Sequence, residues 1–464
     1  MNSTLNSNNL SDDAKAIWQA GVAAVTPRQL FANKVRLEAC ELWFDDVSVD
    51  LSRFRRIVVV GAGKASAAMA AALETQILAQ FSGELAKIEI TGWINCPEGS
   101  FASQLGHIHL HAARPAGSNS PTEAGILGTR RILELVQNCG SQDLVLCLIS
   151  GGGSALLVAP CPGISLEDKQ AVAELIAGAG GNIEQLNSVR RALSQVKGDG
   201  LARHCRGGEL ITLIISDVLG DPLEVIASGP TVCSAAPPAA IPLQVLDELG
   251  IAAHRRLQNV VQYLQSLSDT ATETSLLRPP RGTHVILGNN ADAVDAAGVK
   301  AVELGYRYVM QAARQPEGDV LGVAKLAAMA SLQVMSQPEV DCWISGGEPT
   351  VALPSVQCGK GGRNQQLALA VLEQLIVQGW PQRAELREFA FCSGGTDGED
   401  GPTDAAGAWF DREIYERMQQ LRLAPADYLR RADAYRFFEQ VNGLLLTGPT
   451  GTNVCDLRIA LAAR

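Results

Sequence analysis

The stretch Arg55-Arg-Ile-Val-Val-Val-Gly61-Ala-Gly63-Lys64 decides the fold. Ile57 to Val60 is an unbroken β-branched run, which suits a strand covered on both faces. Glycines follow where such a strand ends, and Lys64 to Gln80 then reads as a helix rich in Ala, Leu and Met. The same order returns further on. Asp143 to Ser150 (DLVLCLIS) runs through Gly151-Gly152-Gly153 into helical sequence, and Glu209 to Asp217 (ELITLIISD) is a third apolar strand. Strands separated by helices need crossover connections, so the N-terminal half reads as an open α/β sheet of parallel strands.

Outward from this core, the second half resumes with a strand at Thr283–Leu287, an Ala-rich helix at Ala291–Leu304, and strands near Trp343 and Phe389. Composition shifts between Cys233 and Pro280, where a Pro/Ala-rich loop (Ser234 to Ala240) and the break Arg278-Pro-Pro-Arg-Gly282 bracket a helical stretch. The domain change is placed at 233–282. No repeat of 20–50 residues is visible.

A chain of 464 residues is long enough for two or three domains, with two favoured. Hydrophobic residues at 47% against 19% charged indicate a globular chain rather than a disordered one. The charge balance, 38 − 49 = −11, gives no overall attraction to nucleic acid or acidic membranes, so any phosphate site must be a local concentration of cations. The 11 cysteines include no CxxC pair and read as reduced thiols in a cytoplasm. The polar start, Met1 to Asp13, lacks the layout of a secretion signal, and no long apolar run suggests a spanning helix.

In open α/β sheets ligands bind outside the carboxyl ends of the strands, where the glycine clusters fall. Gly61-Ala-Gly63-Lys64 supplies two of three dinucleotide-fingerprint glycines, with Ser66 in the third place; its physical content is a lysine at the mouth of a helix. In Ser150-Gly151-Gly152-Gly153-Ser154, consecutive glycines allow close backbone approach to a ligand, and Ser154 either caps a helix or donates to a phosphate. Asp217 and Asp221 at the third strand end either hold a hard cation such as Mg²⁺ or cap a turn. Asn187, Arg190, Arg191 and Lys197 form a basic group, read either as a solvated helix face or as a carboxylate clamp. Further clusters follow at Ser345–Glu348, Gly359–Gln365, Ser393–Asp404 and Thr447–Asn453. Arg363 offers a planar fork for phosphate or carboxylate, and Asp397, Asp400 and Asp404 are candidate metal ligands or a base. His107, His109 and His111 share one strand face but lack a nearby fourth ligand, so a structural strand is the expectation. No nucleophile elbow is present. These residue types suit phosphoryl transfer from a nucleotide to a small anionic metabolite. The competing reading, an NAD(P)-dependent oxidoreductase, lacks the third glycine and a clear ribose-binding acid, for which Glu84 and Glu89 lie at about the right distance.

The runs GAGKASAAMAAALE (61–74), LISGGGSALL (148–157), LNSVRRALSQVKGDGLA (186–202), ISDVLGDPLEVIASGPT (215–231), GKGGRNQQLALA (359–370), SGGTDGEDGPTDAAGAWFD (393–411) and GPTGTNVCDL (448–457), in this order, resemble the class II glycerate 2-kinases, whose C-terminal domain is named MOFRL. The resemblance extends from about Ala14 onward. With a short disordered tail expected at 1–12, it implies a Rossmann-like, three-layer αβα domain with a mostly parallel sheet (13–255). A smaller mixed α/β domain containing the MOFRL region (256–464) would follow, with the active site in the cleft between the domains. The implied reaction converts ATP and D-glycerate to 2-phosphoglycerate and ADP with Mg²⁺ or another divalent cation, in a cytoplasmic monomer or homodimer. Hydroxypyruvate reductase, a label many relatives have carried, is the alternative. Lys64 and Arg363 match the family's catalytic lysine and arginine. Gly61, Gly63, Gly151, Gly152, Gly153, Ser154, Asn187, Arg190, Lys197, Glu348 and Asn364 are the candidates for binding nucleotide or substrate, and Asp217 and Asp397 for the metal. The chain departs from the family at Arg114-Pro115, where His-Pro is usual, at Ala192 in place of His, at Gly220-Asp221-Pro222 in place of GDDP, and at Gly347-Glu348-Pro349-Thr350-Val351 in place of GETTV.

Overall fold

The computed structural model describes residues 10–101, 103–115, 117, 120–233, 240–269, 282–354 and 358–464. It divides into two units, each assembled from separate stretches of chain. One contains Phe31–Ile215 and Pro222–Leu287; the other contains Met1–Leu30, Ser216–Asp221 and Gly288–Arg464.

The first unit opens with a small antiparallel meander of β1 (Val35–Glu38), β2 (Glu41–Phe44) and β3 (Val47–Asp50). Its main sheet has six strands: β4 (Arg56–Ala62), β5 (Glu89–Pro97), β6 (Ile108–Arg114), β7 (Asp143–Ser150), β8 (Glu209–Ile215) and β9 (Gly282–Gly288). They lie in the order β6-β5-β4-β7-β8-β9, and the pairs β6–β5, β5–β4, β4–β7 and β7–β8 are parallel. The apolar strands β4 and β7 sit at the centre, and every residue of β7 is buried. The strand order reverses between β4 and β7, because successive strands are laid outward on one side of β4 and then on the other. Such a reversal opens a crevice beyond the carboxyl ends of the two strands. The loops Gly61–Lys64 and Gly151–Gly153 leave the sheet there. The helix expected over Lys64–Gln80 is three pieces: α-helix at Ser66–Ala72, a wider π turn at Leu73–Ile77 and a 3₁₀ turn at Leu78–Gln80. The wide turn carries Glu74, whose carboxylate accepts the Gly106 and His107 N–H groups at 2.6 and 3.0 Å.

The second unit holds β10 (Tyr308–Ala312), β11 (Cys342–Gly347), β12 (Phe389–Gly395), β13 (Gly407–Asp411), β14 (Leu444–Leu445) and β15 (Asp456–Ala462), in the order β10-β11-β15-β12-β13-β14. Only the β10–β11 pair is parallel. Side chains alternate across the sheet, as the two-residue period of a strand requires. Phe389 and Phe391 face the helices Val320–Ser336 and Arg363–Val377, whereas Ala390 and Cys392 face the helices Leu10–Ala24 and Asn290–Glu303.

The division expected at 255/256 differs from the one observed. Helix Leu10–Ala24 belongs to the second unit: its stripe of Ala14, Ile17, Trp18 and Val22 is buried on that sheet, and Trp18 Nε1 donates to the Gly394 carbonyl at 3.2 Å. An amphipathic helix goes where its apolar stripe fits, and sequence adjacency does not reveal the place. The first unit in turn continues past 255 to Leu287. Residues 10–12 of the expected tail are helical. Residues 1–9, Ser234–Ala239 of the Pro/Ala-rich loop, and 278–281 of the second break lie outside the described residues.

Candidate active site

The candidate residues form two groups, one in each unit. In the first, β4 and β7 bring their glycine loops together. The Lys64 N–H donates to the Gly151 carbonyl at 2.8 Å, and the Ala65 N–H to Ser150 Oγ at 2.9 Å. Gly63 has φ 155°, and a Cβ there would lie 2.1 Å from Ser150 Oγ, so only glycine fits. Gly152 sits at φ 74°, and a Cβ there would meet Arg114 Nη2 at 3.2 Å and Lys64 Cγ at 3.5 Å. Gly152 is therefore flanked by two cations. Arg114, a departure from the family pattern and only 3% exposed, is thereby placed at the crevice.

A second set of cations lies in the same unit. Asn187, Arg190 and Arg191 are three and four positions apart on the helix Ile183–Ala192, so they share a face. Lys197, 6% exposed, donates from Nζ to Ser228 Oγ at 3.0 Å, and Ser228 Oγ lies 2.7 Å from Ser154 Oγ. Burial, then the charges of Arg190, Lys169 and Arg191, push the Lys197 ammonium down to about 7. Lys169, 8% exposed and donating to the Leu193 carbonyl, is pushed down to about 8, chiefly by burial. Arg190, Lys169 and Arg191 thus surround the Lys197 amine with positive charge. The solvated-face reading of this basic group is thus replaced by a partly buried cluster.

In the second unit Arg363 is the first residue of the helix Arg363–Val377. The helix start is fixed by Asp400, whose carboxylate accepts the Asn364 and Gln365 N–H groups at 3.0 and 2.8 Å. Burial nevertheless pushes the Asp400 carboxyl up to about 7. The Arg363 fork is already engaged: Nε and Nη2 donate to the two oxygens of Asp456 at 2.7 and 2.9 Å, and Nη1 pairs with Glu348 at 2.9 Å. Asp456 is completely buried, whereas Glu348 is half-buried with its carboxyl raised by desolvation. Cys455 Sγ donates to the Asp217 carbonyl at 3.0 Å and reaches Glu348 Oε2 at 3.8 Å. Asp217 bears electrostatically on Cys455, and Asp397 on Glu348, so both expected metal residues lie around this pair. Among the described residues no group of three or more His, Cys, Asp or Glu side chains is disposed to hold a metal ion. The donor set fits only the lighter kind of site, in which one or two carboxylates share Mg²⁺ with substrate phosphates.

Several expected roles change. Asn364 is 1% exposed; its side chain accepts from Ser393 Oγ at 2.7 Å and faces Asp400, so it braces the helix start. Asp221 accepts from Asn289 Nδ2 at 2.6 Å, the turn-bracing alternative. Asp404 takes the Tyr435 hydroxyl at 2.7 Å. His109 and His111 pack against the Trp93 ring, and His111 Nε2 lies 2.9 Å from the Ala124 carbonyl, as a structural strand requires. Glu89 begins β5, at the end of the strand remote from the crevice, and exposed Glu84 pairs with Lys87 at 2.6 Å. Sequence reasoning missed Lys169 and Ser228 as members of the site. Ser228 lay within a quoted run, but nothing local marked it.

The fold and these groups define an α/β protein with a cation-lined crevice at a strand-order reversal. The model described as Domain of unknown function (DUF4147) matches residues 13–265, and the MOFRL family model matches 341–456. A Bos taurus glycerate kinase is 35% identical, the match covering 96% of this chain and 92% of the relative. An Agrobacterium vitis protein bearing a hydroxypyruvate reductase name is 35% identical over 88% of this chain and 99% of its own. The crystal structure of glycerate kinase from Thermotoga maritima superposes with a TM-score of 0.79 at 31% identity, over 98% of this chain and 99% of that one. The chain belongs to the MOFRL-type glycerate kinase family.

Proposed function

We propose that this protein transfers the γ-phosphoryl group of ATP to the 2-hydroxyl of D-glycerate, giving 2-phosphoglycerate and ADP. The observation that carries this reading is the concentration of cations at the crevice of an otherwise acidic chain: Lys64 and Arg114 beside Gly152, and Arg190, Arg191 and Lys169 clustered around Lys197 in the same unit. A polyanionic nucleotide and a carboxylate acceptor are the ligands such a field selects. Lys64, on the loop at the strand-order reversal, is assigned to the transferring phosphoryl group. Arg363 is assigned to an anionic group that takes the place of Glu348. Asp456 stays, because it is fully buried and held by two bonds, whereas Glu348 contributes one. Asp217 and Asp397 would hold a divalent cation that accompanies ATP, and the cation would neutralise phosphate charge. Free thiols throughout support a cytoplasmic setting.

The oxidoreductase alternative loses its physical basis at two positions. Where the third fingerprint glycine would stand, Ser66 is buried and donates to the Leu148 carbonyl at 3.1 Å. Near the end of β5, where a ribose-binding carboxylate belongs, Asn95 is fully buried, donating to the Leu156 carbonyl and accepting from Trp93 Nε1. The test is ATP, Mg²⁺ and D-glycerate, with 2- and 3-phosphoglycerate resolved by ³¹P NMR, beside hydroxypyruvate with NADH or NADPH. ATP-dependent 2-phosphoglycerate is expected; consumption of reduced cofactor without it would overturn the reading. Asp397→Asn should shift the Mg²⁺ titration to higher concentration, and an unchanged titration would remove Asp397 from the cation site.

A further inference from the structure

We propose that Ser154, Ser228 and Lys197 form a proton relay, in which Ser154 Oγ takes the proton of the attacking acceptor hydroxyl and Ser228 passes one on to the Lys197 amine. The proposal rests on the kinase reading above and adds to it the base that the reaction requires. The three groups form a file from surface to interior: Ser154 and Ser228 are partly exposed, and Lys197 is buried behind them. The links are 2.7 Å between the hydroxyls and 3.0 Å from Ser228 to the amine. Ser154 directly follows the glycines that pack against Lys64 and Arg114, so the outer end of the file faces the crevice.

The backbone holds this file in register. The Gly198 and Asp199 N–H groups donate to the carbonyls of Ser228 and Gly229 at 2.9 and 2.8 Å, which locks the Lys197 turn onto the Ser228 turn. Ala227 and Ser228 stand at φ 49° and 67°, and non-glycine residues kept in the left-handed region cluster at functional sites. The charged groups facing Lys197 are Lys169 from the helix Leu166–Gly178, and Arg190 and Arg191 from the helix Ile183–Ala192. The nearby Asp199 carboxylate is taken by Arg203 Nε at 2.7 Å. Lys197 is thus a buried amine facing three cations, hydrogen-bonded to a hydroxyl. Such an amine gives up its proton readily and is left near 7, where a base is effective at neutral pH.

The step balances as follows. The acceptor oxygen forms a bond to the γ-phosphorus, and the bond from that phosphorus to the bridging oxygen breaks, its electron pair leaving with ADP. The acceptor proton moves to Ser154 Oγ as the Ser154 proton moves to Ser228 Oγ and the Ser228 proton moves to neutral Lys197. The amine ends as an ammonium within reach of Ser228 Oγ, and returns its proton to solvent before the next turnover.

The test combines a kcat–pH profile with a direct titration of the lysine. Wild-type kcat should rise with pH through about 7. Ser154→Ala and Ser228→Ala should each lose roughly 10²-fold in kcat, with little change in KM, and flatten that rise. Ser154→Thr should restore most of the activity, and Lys197→Arg should not. Melting curves establish that the variants fold. Retention of the full pH limb in Ser228→Ala, or near-normal turnover in Lys197→Arg, would overturn the relay. ¹⁵N NMR of labelled lysine side chains, with Lys197 assigned by its loss in Lys197→Arg, reads the titration independently of any substrate. An ordinary lysine value in a protein active on glycerate would overturn the relay and leave the acceptor standing. A value near 7 in a protein inactive on glycerate would remove the acceptor and keep the base.

Discussion

Two side chains carry the proposed charge geometry, and each answers to a different substitution. In the proposed reaction Lys64 is a point charge on a loop, so Lys64→Ala should lower kcat at least ~10²-fold while leaving the melting temperature close to wild type. Near-normal turnover would remove it from the reaction. The proposed role of Arg363 depends on shape, because Nε and Nη2 lie against Asp456 while Nη1 is turned to Glu348. An ammonium cannot reproduce that division, so Arg363→Lys should be nearly as damaging as Arg363→Ala, measured as kcat/KM on the same substrate pair. Activity retained in Arg363→Lys would mean that charge alone suffices. At this scale the sequence exposed the cations and the glycines, since a glycine cluster after an apolar strand has few other uses. It did not expose Ser228, whose place depends on a left-handed turn brought to Ser154 by tertiary packing, nor the occupation of the Arg363 fork by Asp456, 93 positions away. Asn364 misled in the opposite direction: polar and next to Arg363, it is consumed by the helix start.

Among the elements, legibility followed burial. Strand β7 has the limits that its apolar run predicts, because a strand sealed on both faces leaves its whole length in the composition. The helix after Lys64 was legible as helical but not in its wide π turn. Strand β11 is anchored by a network that no periodicity announces. Burial works to raise the Asp341 carboxyl, but hydrogen bonds from Arg307 and Arg387 outweigh it and hold the group down at about 2. A carboxyl lowered on folding contributes stability above its unfolded value, near 4, and loses it as pH falls through its folded value. Asp341→Asn should therefore melt several degrees below wild type at pH 7, with the gap closing between pH 4 and pH 2. A pH-independent gap in thermal denaturation would show that the charge is not what matters.

For the molecule as a whole, two α/β units could be read from the alternation of strands and helices, but their boundaries could not. The chain passes from one unit to the other at 30/31, 215/216, 221/222 and 287/288; two of these crossings fall inside the run 215–231, and none falls within the composition shift at 233–282. A cut at the expected 255/256 boundary would strip the second unit of helix Leu10–Ala24, and with it the buried Trp18, whose loss alone costs about 3–5 kcal/mol on the usual scale for large core side chains. The fragment 256–464 should then lack a cooperative thermal transition, and supplying residues 10–30 as a peptide should restore one. A cooperative melt in the bare fragment would mean that the helix is an accessory.

Strand β15 lies between β11 and β12 although it follows both in the chain, by more than a hundred and by some sixty positions respectively. During synthesis, β11 and β12 therefore leave the ribosome as strands with open edges, and they stay open until residues 456–462 arrive to bridge them. Bare edges of this kind invite pairing with other chains. Yield in the cell should accordingly depend on how quickly the stretch between β12 and β15 is translated, and on chaperones that shield those edges. The same late strand brings Asp456, so the Arg363 fork takes its orientation only when the sheet closes.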